Sequence, residues 1–167
     1  MAKALLVLDM QNVCVGENHA DFFKYDTNNL IASVNRVIKA NEGNPVIYIL
    51  NIMKDNLISK LIPFKAFDGT ENAALVDSLD VVSDYMFKKY KGDAFTNPML
   101  KAKLDELNVT ELEIVGLDGG GCVALTALGA IKTGYKVTLN TNAIGTMFVK
   151  KAAQRNEKLK RLGATFI

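Results

Sequence analysis

Three side chains of complementary chemistry, Asp9, Lys89 and Cys122, stand at or just beyond the ends of apolar or β-branched runs. Cys122 is the most telling. It follows ELEIVG (111–116) and the glycine-rich turn LDGGG (117–121), and it opens an alanine-rich helical pattern, CVALTALGAIKTG (122–134). A cysteine in the first turn of a helix lies near unpaired backbone N–H groups and the positive end of the helix dipole. Both favour thiolate, the nucleophilic form. These residue types suit covalent acyl transfer. Cys122 would attack a carbonyl carbon. Asp9 would take the thiol proton, pass it to a leaving amine and later activate water. The Lys89 ammonium would lower the thiol pKa and hold Asp9 in place. Backbone N–H groups of the glycine turn and of Cys122 would receive the oxyanion.

Those roles require three distant stretches to meet. ALLVLD (4–9) reads as a strand buried on both faces. DTNNLIASVNRVIKANEG (26–43) reads as a helix capped by Asp26 or Thr27, with an apolar stripe at Leu30, Val34, Val37 and Ile38 and a stop at Gly43. PVIYILNI (45–52) is the next strand. Residues 53–83 read as a surface excursion with a short helical candidate, ENAALVDSL (71–79). DYMFKK (84–89) is a strand and NPMLKAKLDELN (97–108) a helix, with Asn97 as cap and Pro98 at its first position. ELEIVG and YKVTLNTNA (135–143) are strands flanking the Cys122 helix. TMFVKKAAQRNEKLKRLG (146–163) is a helix and ATFI (164–167) a closing strand. Alternating strands and helices predict an α/β fold, a three-layer αβα sandwich around a mostly parallel six-stranded sheet, Rossmann-like, in one domain over 1–167. In such folds the ligand crevice lies at the carboxyl ends of the strands, where Asp9, Lys89 and Cys122 stand.

Bulk properties narrow the function. Apolar residues make up 49% of the 167, enough for a sizeable core. Twenty basic and 18 acidic residues are dispersed, without the basic block or aromatic interleaving of a nucleic-acid binder. The run KKAAQRNEKLKR (150–161) reads as a solvated helix face. Cys14 and Cys122, the two cysteines, are too few for a disulfide scaffold. The apolar start stops at Asp9, short of a membrane span. These features predict a cytoplasmic protein with a small-molecule substrate and no nucleic-acid or membrane partner. The one histidine, His19, cannot build a His-based metal site alone and reads as a loop residue; Cys14 reads as packing.

Three segments resemble the isochorismatase-like cysteine hydrolases, the superfamily of nicotinamidases, carbamoylsarcosine amidohydrolases and isochorismatases. LLVLDMQN (5–12) is similar to its first strand ending in the catalytic aspartate. KYKGDAF (89–95) is similar to its lysine segment, whose spacing selects Lys89 over Lys88 and Lys91. GLDGGGCVALTALGAIKTGYKVTL (116–139) is similar to its nucleophile turn, helix and following strand. The resemblance implies an amidase-type hydrolase with an Asp9–Lys89–Cys122 triad. It implies a cis peptide at Leu117–Asp118 that aims the Asp118 amide, with that of Cys122, as an oxyanion hole. It also implies an aromatic pocket wall at Phe22, Phe23 and Phe95, and a homodimer or homotetramer whose capping loops are trimmed or supplied by a neighbour. Nicotinamidases carry a metal site of one aspartate and two histidines after the second strand. Here that stretch reads ILNIMKDNLISK, without histidine, so no metal and no cofactor are expected. The three successive glycines, 119–121, suggest a looser turn or a larger pocket.

Two other readings are compatible with parts of the chain. Gly119, Gly121 and Ala124 match G-x-G-x-x-A between a strand and a helix, a nucleotide-binding fingerprint, but the following strand ends in Leu139-Asn140-Thr141 instead of an acid. A catalytically silent family member serving in assembly is the other.

Overall fold

The computed structural model describes residues 2–167. Six strands form one all-parallel sheet in the order β3-β2-β1-β4-β5-β6. They are β1 (Ala2–Leu8), β2 (Val46–Asn51), β3 (Met86–Lys89), β4 (Val109–Leu117), β5 (Lys136–Gly145) and β6 (Thr165–Phe166). The helices are α1 (Asn12–Val15), α2 (Thr27–Ala40), α3 (Leu57–Lys60), α4 (Pro98–Glu106), α5 (Cys122–Thr133) and α6 (Val149–Arg161). The predicted α/β sandwich is the observed one.

Side-chain alternation on β1 divides the interior. Leu5 and Val7 face a core shared with Leu30, Ile31, Val34 and Ile38 of α2. Ala4, Leu6 and Leu8 face a second core with Leu100 and Leu104 of α4, Ala127 of α5 and Leu159 of α6. A strand buried on both faces has no polar side to alternate with, which is why ALLVL is continuously apolar. Asp26 caps α2, its side chain accepting from Asn29 N–H, and Asn97 caps α4 through Met99 N–H. Gly134 ends α5 in the left-handed conformation.

The chain winds outward from β1 through β2 to β3, then returns to place β4 on the other side of β1. The order therefore reverses between β1 and β4, the position where open α/β sheets form a crevice. A single turn of helix, α1, begins after a three-residue connection from β1, and one local expectation is corrected. Only Glu71–Ala73 of the 71–79 candidate is helical, as a 3₁₀ turn. The reason is tertiary: Ala74 C=O accepts from Asn12 N–H and Val76 N–H donates to Met10 C=O. Those backbone groups are tied to the chain after β1 and cannot serve a helix.

Candidate active site

Asp9 follows β1 with φ 57°, a left-handed conformation that an aspartate tolerates better than most residues. Lys89 ends β3, two strands away. Its register partner Asn51 ends β2, between it and β1. With neighbouring strands about 4.8 Å apart, an extended lysine can cross β2 and reach the end of β1. It does so. Lys89 Nζ donates to Asp9 Oδ2 at 2.9 Å, to Asn51 Oδ1 at 3.1 Å and to Cys122 Sγ at 3.1 Å. Asp9 is 4% exposed and Lys89 1%, whereas Cys122 is only partly buried. Asp9 Oδ1 is buried with no hydrogen-bond partner.

The end of β3 is held against the helix that carries the thiol. Ala94 N–H donates to Thr126 Oγ1, one turn beyond Cys122, and Gly92 packs on Leu125 so closely that a Cβ would come within 2.5 Å of it. This docking is what the spacing of KYKGDAF achieves. Gln11 and Asn51 also belong to this hydrogen-bonded cluster, and the sequence analysis did not single them out. Gln11 accepts from Asn51 N–H at 2.8 Å and donates to the Asn51 and Ala73 carbonyls. It fixes the strand end from which Asn51 meets Lys89. The strand-end rule that singled out Asp9 and Lys89 would have found Asn51 as well.

The electrostatics differ from expectation in one respect. Burial, and then the Asp9 charge, push the Cys122 thiol up to about 12 despite the opposing Lys89 ammonium. The resting Cys122 sulfur is therefore a thiol, not the stabilised thiolate that the helix start and Lys89 suggested. The ammonium is already shared with a carboxylate, so it cannot offset desolvation of the sulfur. Lys89 stays charged. Burial works against its ammonium, but Asp9 and Cys122 more than compensate and hold its pKa above the ordinary lysine value. Cys14 is buried, and burial pushes its thiol up strongly, in keeping with packing.

The Leu117–Asp118 peptide bond is cis, as the resemblance implied. Two of the three glycines, Gly119 and Gly120, are tightly packed rather than loose, whereas Gly121 makes only ordinary contacts. A Cβ on Gly120 would fall against Phe148 C=O and, at 2.9 Å, Ala152 N; one on Gly119 would fall against Thr146 Oγ1 and, at 3.0 Å, Ile144. Their amides are also engaged: Gly119 N–H on Gly145 C=O, Gly120 N–H on the Asp118 carboxylate, Gly121 N–H on Asp118 C=O. Among the described residues, the Asp118 and Cys122 N–H groups have no protein acceptor. The amides that a phosphate would need are thus taken, which argues against the nucleotide fingerprint. The amides of the two expected oxyanion donors are free.

Phe22, 40% exposed, and Phe23, 8% exposed, form an aromatic cluster with Tyr25 and Phe64. Phe95 is not part of it. Its ring lies 5.5 Å from that of Tyr135 in the second core, because the docking of 89–97 on α5 turns it that way. The nicotinamidase-type metal site does not fit these residues. Asn51 ends β2 with its side chain on Lys89, and His19 Nδ1 bonds Gly16 C=O after α1. Among the described residues, no three His, Cys, Asp or Glu side chains cluster as a metal would need. Nor is any described helix long and apolar enough to cross a membrane.

Comparison with known proteins gives the relationship. A family profile described as the isochorismatase domain matches residues 3–167. The isochorismatase family protein YddQ of Bacillus subtilis (strain 168) is 26% identical over 155 residues, covering 87% of this chain and 79% of its own length. The fold is shared with a pyrazinamidase of Pyrococcus horikoshii solved in complex with zinc (TM-score 0.87, 23% identity, 100% of this chain and 99% of that one). A Bacillus subtilis nicotinamidase superposes equally well (TM-score 0.85, 24% identity, 99% of each chain). An N-carbamoylsarcosine amidase of Thermoplasma acidophilum does too (TM-score 0.84, 22% identity, 99% and 95%). The chain belongs to the isochorismatase family and has the fold of the isochorismatase-like hydrolases.

Proposed function

We propose that the protein hydrolyses an amide or related C–N bond of a small molecule through a thioester on Cys122. The observation that carries this reading is the Lys89 ammonium within 3.1 Å of the Cys122 sulfur and 2.9 Å of the Asp9 carboxylate. A substrate carbonyl carbon approaches the sulfur, and Asp9 takes the thiol proton as the S–C bond forms, so thiolate never accumulates at rest. The carbonyl oxygen, now anionic, accepts from the Asp118 and Cys122 N–H groups. Asp9 passes its proton to the nitrogen, the C–N bond breaks and the amine leaves. Water then attacks the thioester with Asp9 as base, the S–C bond breaks, and acid and thiol are restored. Lys89 holds Asp9 in place through its hydrogen bond to Oδ2. Every step uses side chains and amides of this chain, without a metal or cofactor. Phe22 and Phe23 line the approach for a small substrate. The family resemblance extends the proposal to a cytoplasmic homodimer or homotetramer with no nucleic-acid or membrane partner.

The test is a panel of small primary amides and carbamoyl compounds, read by ammonia release and by intact mass after acid quench. A productive compound should leave an acyl adduct on Cys122, absent in Cys122→Ser. Full turnover in Cys122→Ser would refute the mechanism.

A further inference from the structure

The carboxylate of Asp118 has no part in that chemistry, yet it is buried and accepts hydrogen bonds from three separate segments. Gly120 N–H reaches it from within the turn at 2.7 Å, Met147 N–H from the β5–α6 connection at 2.6 Å, and Tyr25 Oη–H from ahead of α2 at 3.1 Å. None of the ion pairs among the described residues involves it. Burial, and then the Asp118 charge, push the Tyr25 hydroxyl up, so it stays a donor.

Packing holds Gly119 and Gly120 and Arg155 donates to Gly120 C=O, and the Asp118 carboxylate adds a side-chain anchor to the same turn. Residues 119–121 are glycines, without side chains to hold them and with the widest backbone freedom of any residue. Asp118 is the one residue of 118–121 whose side chain can restrain the turn. Its own N–H is also one of the two amides left free for an oxyanion. Tyr25 extends the restraint outward. Its ring stacks on Phe23 (centroids 6.1 Å apart, planes 18° apart), and Phe23 contacts Phe22 and Phe64.

We infer that Asp118 and Tyr25 are positioning residues, a clamp that sets the oxyanion-binding amides and ties them to the aromatic wall. The inference rests on the reaction proposed above. Loosening the clamp would misplace a donor without touching the sulfur, and misplacement by about 1 Å can cost roughly 100-fold in a reaction that uses that donor.

Two reagents separate these effects. A small aldehyde such as propionaldehyde adds reversibly to Cys122: the S–C bond forms, the carbonyl π bond breaks, and the thiol proton ends on the new hydroxyl. That tetrahedral oxygen occupies the oxyanion position. Iodoacetamide alkylates the same sulfur by displacing iodide and needs no oxyanion donor. Tyr25→Phe, which removes one hydroxyl, and Asp118→Asn should each weaken the thiohemiacetal about 10-fold or more, measured with ¹³C-labelled aldehyde by NMR. Alkylation of Tyr25→Phe, which changes no charge, should stay within about two-fold. An unchanged aldehyde affinity in folded Tyr25→Phe would overturn the inference alone. Equal losses in both reactions would also overturn it, since the clamp would then be merely structural. No adduct on the parent protein would overturn the inference together with the proposed reaction.

Discussion

Replacing Asp9 by asparagine should do two opposite things: abolish amide turnover, because no base remains to take the thiol proton, and make Cys122 react faster with a simple alkylating agent. Both effects come from one geometry. Lys89 Nζ stands 2.9 Å from Asp9 Oδ2 and 3.1 Å from Cys122 Sγ. Laid end to end, those distances put carboxylate oxygen and sulfur within about 6 Å of each other. At that separation and an effective dielectric near 20, one negative charge acts on a thiolate with roughly 3 kcal/mol, or roughly two pH units in its titration. The thiol now stands at about 12, pushed there by burial and then by Asp9. Without the carboxylate it should titrate roughly two units lower, with Lys89 free to stabilise the thiolate. At pH 7.5 the thiolate fraction would rise roughly 100-fold. Intrinsic nucleophilicity falls with pKa at a Brønsted slope near 0.4–0.5, which leaves a net gain of roughly 10-fold. The assay is the pseudo-first-order rate of iodoacetamide addition, followed by intact mass from pH 6.5 to 10, with Cys122→Ser giving the Cys14 background. Slower or unchanged alkylation in a folded Asp9→Asn variant would refute the electrostatic argument, and retained turnover would refute the role of Asp9 as base.

Two further predictions concern the scaffold. Gly120→Ala should destabilise by roughly 1–3 kcal/mol, because its Cβ would meet backbone atoms of Phe148 and Ala152 that cannot swing aside. Gly121→Ala, whose nearest Cβ neighbour is at 3.4 Å, should melt within about 2 °C of the parent; equal Tm losses for the two would contradict the packing account. Glu113 is buried with Lys3, Asn41 and Asn140 around it. Burial works against its charge, but these partners outweigh that and hold its pKa below the usual carboxylate value. A depressed folded pKa contributes stability above the unfolded value near 4.3 and loses it as pH falls through the folded one. Glu113→Gln should therefore cost roughly 1–3 kcal/mol at pH 7, with the gap narrowing below about pH 4 in urea titrations. A gap of constant size across that range would disprove the assignment.

Much of the architecture was legible because its signals are local. A strand covered on both faces must be apolar throughout, as ALLVL is, and a helix closed by Gly134 shows its stop in the sequence. Where expectations failed, a distant partner had intervened. The helical pattern at 71–79 lost its backbone hydrogen-bonding groups to residues 10–12. Phe95 was turned toward Tyr135 by the docking of its segment on α5. The glycine turn gained rigidity from the β5–α6 connection rather than from its own composition.

The order of residue types along the chain was enough to specify the strand ends, the helix that begins at Cys122 and the absence of histidine after the second strand, because each depends only on near neighbours. Tertiary structure alone decided that the lysine of β3 crosses β2 to touch both Asp9 and Cys122, that the sulfur rests protonated, and that Asp118 turns its carboxylate inward to hold its own turn. Desolvation and charge sum over groups up to 113 residues apart in sequence, from Asp9 to Cys122, and no local pattern encodes such a sum.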